Sequence, residues 1–410
     1  MSSATDSNIG ATGEIVPDEH PQKVCVVGSG WRFTGGVSHY TCRLTNAIAD
    51  HADTSAILMR RLLPRFLYPG RSRVGVKVAA LEYNERVHVY DGVDWYWGTS
   101  LWPAIRHLRR TRPDMIVFQW WTGTVAHTYA VLAKAARRLG IKVVVEFHEV
   151  QDTGELRVPL VGAYTRRVLA SVLQNAQAFI VHSEHDRELL VASYDLSGRP
   201  VAVVPHGPFD HYAVERIPAE DDGVVRLLFF GLIRPYKGLK YLVEAFNRLG
   251  PEEVRGFSLT VVGETWEGHT EPIEMIEASP YRDRITLVNR YVSDDEAKEH
   301  FARADALVLP YLRSSASGPL HIAMSNGMAV VVSSVGGLTE IAQEYVGAVM
   351  VEPEDVDGLV EALRKVRTMA GQRFADPHSW ECNARAVLAL ATTATATATA
   401  TTATGEAESA

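Results

Sequence analysis

The 410-residue chain is 46% hydrophobic and 22% charged, which is ordinary for a soluble globular protein, and it is long enough for two domains. Its formal net charge of −8 argues against a general nucleic-acid binder. Cys25, Cys42 and Cys382 are far apart and no apolar run approaches the roughly 20 residues of a membrane span, so a disulfide framework, a CxxC zinc site and a transmembrane helix are not expected, and a reducing compartment fits.

Residues 1–21 are polar and acidic, lack the charged and apolar regions of a signal peptide, and read as a disordered tail. Lys23–Val27 reads as a buried strand. The loop after it places Gly35 and Gly36 directly before a helix over Val37–Ala49, the opening of a Rossmann-like unit but not the GxGxxG fingerprint. These glycines either approach a phosphate or sugar or make a plain tight turn. Thr54–Met59 reads as a second strand. Between Arg60 and Arg73 five arginines stand with Phe66 and Tyr68 and no acid, a composition for an anionic membrane surface, an acidic acceptor or a solvated loop. Trp31, Trp95, Trp97, Trp102, Trp120 and Trp121, six of the eight tryptophans, fall in the first third, as sugar platforms or as core.

Met115–Gln119, a helix over Val125–Leu139, and Lys142–Phe147 continue the alternation. The last strand ends in His148. Ligands in open α/β sheets sit beyond the carboxyl ends of strands, so a neutral imidazole there is placed to accept from a substrate hydroxyl or steady a developing charge, or simply to close the strand. Phe179–His182 with Ser183 repeats the strand, cap and helix pattern. Val201–Val204 and PHGPFDHY follow, and the charged run to Gly223 reads as an interdomain linker.

The second half restarts the pattern with Arg226–Phe230, the loop GLIRPYKG and a helix over Leu239–Leu249. Arg234 and Lys237 stand at the start of that helix. Cations there oppose its dipole, and two together point to an anion between them. Phe257–Val262 ends at Gly263. Ile285–Val288 precedes Arg290 and Tyr291, and Ser293–Glu296 forms a capping box. Ala306–Leu309 leads into a small-residue loop. Pro319 suits a first helical turn, Gly327 a stop, Ala329–Val332 a buried parallel strand, and Gly336-Gly337 a close backbone approach. Free N–H groups at such helix starts bind phosphates and sugar hydroxyls. Ala348–Val351, Glu354–Met369 and a terminal helix over His378–Leu390 complete the pattern. An Ala/Thr tract closes the chain.

Taken in order, GLIRPYKGLKYLVEAF, TVVGE, RYVSDDE, ADALVLPY, NGMAVVVSSVGGLTE and the Ser-Trp helix resemble the nucleotide-sugar-binding half of the GT-B glycosyltransferases, particularly retaining family 4. The Gly-Gly loop, Phe147-His148 and PHGPFD extend the resemblance over roughly residues 22–391. It implies an α/β fold of two Rossmann-like domains facing across a cleft. The first spans 22–208, a linker 209–224, and the nucleotide-sugar domain 225–375. A helix over 376–391 crosses back, and 392–410 is a low-complexity tail. It implies that Lys237 and Arg234 neutralise the donor diphosphate, with Leu232 where the family usually has the arginine. It implies that His148 lies near the reacting carbon and that the backbone at Arg290-Tyr291 holds the base.

The family usually carries two glutamates separated by seven residues; here those positions are Ser314 and Ile322. Three readings follow. The backbone N–H groups that the stretch Ser317 to Leu320 offers around Gly318 and Pro319, with the hydroxyls of Ser315 and Ser317, hold the donor; His321 takes part of the ribose contact; or catalysis has been lost. The resemblance implies transfer from a UDP- or GDP-sugar to a carbohydrate, lipid-linked or small-molecule acceptor with retention and no required cofactor. No His/Asp cluster has metal-ligand spacing, so no metal is expected; the net charge points to no nucleic-acid partner; and the Arg60–Arg73 segment suits a cytoplasmic or peripheral membrane location. A silent sugar-nucleotide-binding partner and a nucleotide-sugar epimerase of the same fold are the alternatives.

Overall fold

Strands that are covered on both faces need unbroken apolar runs, and runs such as MIVFQW, KVVVEF and AVVVS supply them. The computed structural model describes residues 23–31, 36–61, 81–94, 98–150, 159–217, 222–266, 268–314 and 317–391. The expectations on 1–21, Gly35, the Arg60–Arg73 segment beyond Arg61, Trp95, Trp97, Ser315 and 392–410 lie outside them.

The first domain runs β1 (Lys23–Ser29), α1 (Gly36–Ile48), β2 (Asp53–Arg61), β3 (His88–Asp94), α2 (Leu101–Thr111), β4 (Met115–Trp120), α3 (Ala126–Arg138), β5 (Lys142–Phe147), α4 (Pro159–Asn175), β6 (Ala178–Val181), α5 (Glu184–Ser193) and β7 (Val201–Val203). Its sheet has the order β3-β2-β1-β4-β5-β6-β7, with every pair parallel. The second domain runs β8 (Val225–Phe230), α6 (Leu239–Arg248), β9 (Phe257–Val262), α7 (Glu271–Glu277), β10 (Ile285–Val288), α8 (Asp294–Arg303), β11 (Ala306–Leu309), α9 (Gly318–Ser325), β12 (Ala329–Ser333), α10 (Gly336–Glu344), β13 (Ala348–Val351) and α11 (Val356–Arg367). Its sheet is β10-β9-β8-β11-β12-β13, again parallel. These are two Rossmann-like units, as the resemblance implies.

Side chains alternate across each sheet, so every central strand feeds two cores. Cys25 and Val27 face the layer of α2, α3 and α4, whereas Val24 and Val26 face Tyr40, Leu44 and Ile48 of α1. The terminal helix α12 (380–391) joins the latter core through Ala384, Val387 and Leu388, so it does return to the first domain. The Asn383 amide donates to the Pro205 carbonyl at 2.8 Å, and Trp380 meets Tyr40 edge-on. In the second domain Leu227 and Phe229 pack with α6 and α11, and Leu228 packs with α8, α9 and α10.

The segment after residue 208 is strapped to the second domain rather than hanging free. Phe209 is buried in that domain's core, the Val214 N–H donates to Asn326 Oδ1 at 2.9 Å, and the Ile217 N–H donates to the Ala302 carbonyl at 3.0 Å. A direct tie joins the two domains. The Glu340 carboxylate on α10 accepts from the N–H groups of Glu184 and His185 at 2.6 and 2.8 Å, satisfying orphan donors at the start of α5.

Candidate functional site

The strand order of each sheet reverses at its first strand, so the loops leaving β1 and β4, and those leaving β8 and β11, open onto crevices where α/β proteins bind ligands. The loop after β8 is tight because two backbones touch. A methyl group at Gly263 would lie 1.9 Å from the Gly231 carbonyl oxygen, so glycine at 263 first of all serves the meeting of two strand ends. Gly231 stands beside Pro319, which brings the start of α9 to the same place.

Residues 235–237 form a single 3-10 turn, and Gly238, at φ +65, starts α6. The Leu312 N–H donates to the Tyr236 carbonyl at 2.8 Å and joins this turn to the loop after β11. Lys237 Nζ donates to the Tyr311 hydroxyl at 2.6 Å and lies 3.9 Å from the centre of its ring. Withdrawal from water pushes the Lys237 ammonium down to about 8, with Tyr236 pulling upward and the Arg234 charge pushing further down. The Arg234 guanidinium stacks 4.6 Å over Trp266, and its Nε is buried without a hydrogen-bond partner. Among the described residues neither cation meets a carboxylate.

At the start of α9 Ser317 is the N-cap and accepts from the Leu320 N–H, with Pro319 in the first turn. Ser314 is half-buried, and its carbonyl lies so close to Gly336, at φ +48, that a methyl there would approach it to 2.3 Å. Ile322 contributes an apolar wall to the cleft. His321 is placed differently from the expected ribose contact. Its ring is 1% exposed and stacks on His206 at 4.7 Å and on Phe209 at 5.8 Å, and burial pushes it down to about 3. The helix turns residue 321 inward and leaves Gly318, Pro319 and Ile322 at the cleft surface.

His148, at the carboxyl end of β5, does reach the cleft. Its ring nitrogens are not free, however. Nε2 is 2.6 Å from Gln119 Oε1 and Nδ1 is 3.1 Å from Nε2 of His182. Burial, and then the neighbouring His182, hold the ring well below the usual histidine range. In this arrangement both ring nitrogens face protein partners rather than the cleft opening. Tyr291 reaches the cleft too. Arg290 is held away by Glu296, at 2.6 Å, within the capping box of α8.

The cleft measures about 450 Å³ and draws Gly36, Trp121, His148, His182 and His206 from the first domain and its following segment, and Tyr291, Gly318, Pro319 and Ile322 from the second. The tip of the Phe209 ring lies beside both Gly36 and Gly318: a methyl group at either would stand 3.5 or 3.9 Å from its Cζ, in ordinary contact. Lys237 and Arg234 do not line this volume; the loop that carries them adjoins it where Gly231 meets Pro319. A second depression of about 320 Å³, with Lys23, Asp53 and Arg110, opens where β1 and β2 begin, the end of the sheet that does not carry α/β sites. Sequence reasoning missed His182, His206, Phe209 and Tyr212 as cleft residues. The signal for His182 was its position directly after a strand, the same as that of His148.

Family models match both halves: residues 35–207 match the glycosyl transferase 4-like domain, and residues 224–368 match glycosyl transferases group 1. The chain is 26% identical over 283 residues to a D-inositol 3-phosphate glycosyltransferase of Geodermatophilus obscurus, covering 64% of this chain and 59% of that one. It is 23% identical over 247 residues to an O-antigen chain mannosyltransferase B of Escherichia coli, covering 55% and 63%. The matched region thus spans about three-fifths of these relatives' length. The crystal structure of Anabaena Alr3699/HepE in complex with UDP superposes with a TM-score of 0.58 at 14% identity, covering 92% of this chain and 100% of that one, a likeness of fold. With both domain models matched in order and the two-domain fold in common, the chain belongs to the GT-B glycosyltransferases, with a 4-like first domain and a group 1 second domain.

Proposed function

We propose that the protein moves a sugar from a nucleoside diphosphate sugar to an acceptor hydroxyl, with retention at the anomeric carbon. One observation carries the reading. Arg234 and Lys237 leave a single strand end as two cations without a carboxylate among the described residues, next to the open start of α9. A diphosphate supplies the missing charge, and the Gly318 N–H at the start of α9 adds a donor beside it. In this reaction the bond from the anomeric carbon to the diphosphate oxygen breaks and a bond to the acceptor oxygen forms. The acceptor proton passes to the departing phosphate on the same face. The barrier lies in leaving-group charge, which Lys237 and Arg234 stabilise, so no carboxylate nucleophile is needed.

The bound UDP of the Anabaena structure makes UDP-sugars the first donors to test. The acceptor side is the first-domain wall, where Trp121 offers a ring face to a sugar or an apolar acceptor, with Tyr212 of the strapped segment lining the same cleft. The donor sugar is held through backbone groups at the start of α9, because the Ile322 side chain accepts no hydrogen bond. In function the protein works in glycan, glycolipid or glycoconjugate synthesis, at the membrane surface when the acceptor is lipid-linked. Among the described residues no helix is long and apolar enough to cross a membrane.

Incubation with UDP- and GDP-sugars and a panel of carbohydrate and lipid-linked acceptors tests this. Release of nucleoside diphosphate that depends on acceptor is the expected result. Binding without release with any donor would instead make the chain a silent sugar-nucleotide-binding protein, and conversion of the donor sugar without acceptor would make it an epimerase.

A further inference from the structure

Behind the cleft wall, five side chains run in one hydrogen-bonded line. Tyr40 Oη donates to Glu146 Oε1 at 2.5 Å. The Gln119 amide stands 2.6 Å from Glu146 Oε2 and 2.6 Å from Nε2 of His148. Nδ1 of His148 is 3.1 Å from Nε2 of His182, and Nδ1 of His182 is 2.9 Å from the Val204 carbonyl. Glu146 and Gln119 are both 0% exposed, so bulk water does not complete the pattern.

The donors can be counted from the closed end. The Val204 carbonyl only accepts, so Nδ1 of His182 carries a hydrogen. A neutral His182 then accepts at Nε2, and Nδ1 of His148 must donate to it. A neutral His148 is left with a lone pair on Nε2, which needs the Gln119 amino group. That turns the Gln119 carbonyl towards Glu146, and an ionised carboxylate has nothing to donate. Turning the amide over serves the carboxylate but sets the carbonyl against the bare Nε2. The amide's two ends have the same shape, so either orientation is open to it, and neither reconciles an ionised Glu146 with two neutral imidazoles. One added proton closes the line, whether on Glu146, on Nε2 of His148, or on His182 with His148 in its other tautomer.

We propose that Glu146, His148 and His182 hold one shared proton through Gln119, and that Glu146 is thereby a positioning residue for His148. The three placements differ only by proton shifts and a half-turn of the Gln119 amide, so the groups share the proton as one hydrogen-bonded unit. The groups facing the line are the Tyr40 ring, edge-on to His148 at 4.6 Å; His206, 6.2 Å from His148 and 5.3 Å from His182; Asn383 of α12, which donates to Tyr40 Oη; and the exposed Glu149 beside His148. None is a cation paired with Glu146. When rising pH removes the proton, either the Glu146–Gln119 or the Gln119–His148 contact must open, and His148 loses its fixed place in the cleft wall. The consequence for sugar transfer rests on the proposed function; the shared proton does not.

Glu146→Gln is the informative variant, because it closes the line without the extra proton. Its amide donates to the Gln119 carbonyl, Gln119 donates to His148, and Tyr40 donates to the new carbonyl. Histidine-ring nitrogen spectra and carboxyl-labelled infrared spectra of the full chain, wild type against Glu146→Gln at neutral pH, read the proton directly. The wild type is expected to show either a protonated Glu146 band or an imidazolium signal from His148 or His182, each lost in Glu146→Gln, where both rings are neutral with the proton on Nδ1. An ionised Glu146 beside two neutral rings, or an imidazolium that persists in the variant, overturns the proposal. If transfer is observed, its rate falls on an alkaline limb in the wild type and not in the variant; the same limb in both overturns the positioning role. The spectra need no substrate, so they stand even if no donor is found.

Discussion

Lys237 meets its partners through a phenol and an aromatic face rather than a carboxylate. Its folded-state ammonium is lowered to about 8 by burial, below the value of 10.5 for a free lysine side chain. Between those two values the unfolded chain binds more protons than the folded one, so this group adds stability as pH rises through the window. An arriving diphosphate acts in the opposite direction and raises the ammonium again. Donor binding is therefore expected to take up a proton above pH of about 8, and affinity is expected to decline as pH rises beyond that point. Calorimetry in buffers of different ionisation enthalpy checks the uptake. The placement of this residue beside a second cation at a helix start was legible in the sequence, because such a pair runs against the dipole rule. The inward turn of His321 was not, because an eight-residue helix carries its apolar face and its ligand face within one turn of each other.

At the scale of elements, the turn before α6 sets where Lys237 points. Gly238 is left-handed, and a methyl group there would lie 1.8 Å from the Pro310 carbonyl oxygen. Gly238→Ala is expected to cost about 1–3 kcal/mol from backbone strain alone, with the clash added, and to weaken donor binding together with stability. Gly250→Ala, where nothing lies within 4 Å, is the control and is expected to be neutral or slightly stabilising. Urea unfolding midpoints compare the two. Long apolar strands and capped helices were readable: β5, β9, β10, β11 and β13 fall where their runs predict, and the capping box of α8 is present. β3, α2, α4 and α7 went unread. β3 is a half-exposed edge strand without clear alternation, α2 carries Pro103 in its first turn, α4 includes Gly162, and α7 has seven residues. In each case tertiary packing outweighs a weak local signal.

Across the whole molecule, two parallel sheets present their switch points to each other, and three devices hold that relation. These are the return of α12, the strap after residue 208, and the Glu340 carboxylate on the start of α5. Motif order made the two-domain plan readable, while the convergence of His148, His182, His206 and Phe209 on one wall depends on loops whose course no local pattern fixes. The central claim is that this arrangement receives a nucleoside diphosphate on Lys237 and Arg234. Calorimetric titration of UDP and GDP into the wild type and Lys237→Ala tests it most directly. The account predicts saturable binding of at least one of them to the wild type. It also predicts at least a roughly tenfold loss in the variant, since a charge-assisted contact contributes about 1.5–3 kcal/mol. Binding undiminished by the substitution, or no binding of either nucleotide to the folded wild type, would contradict it.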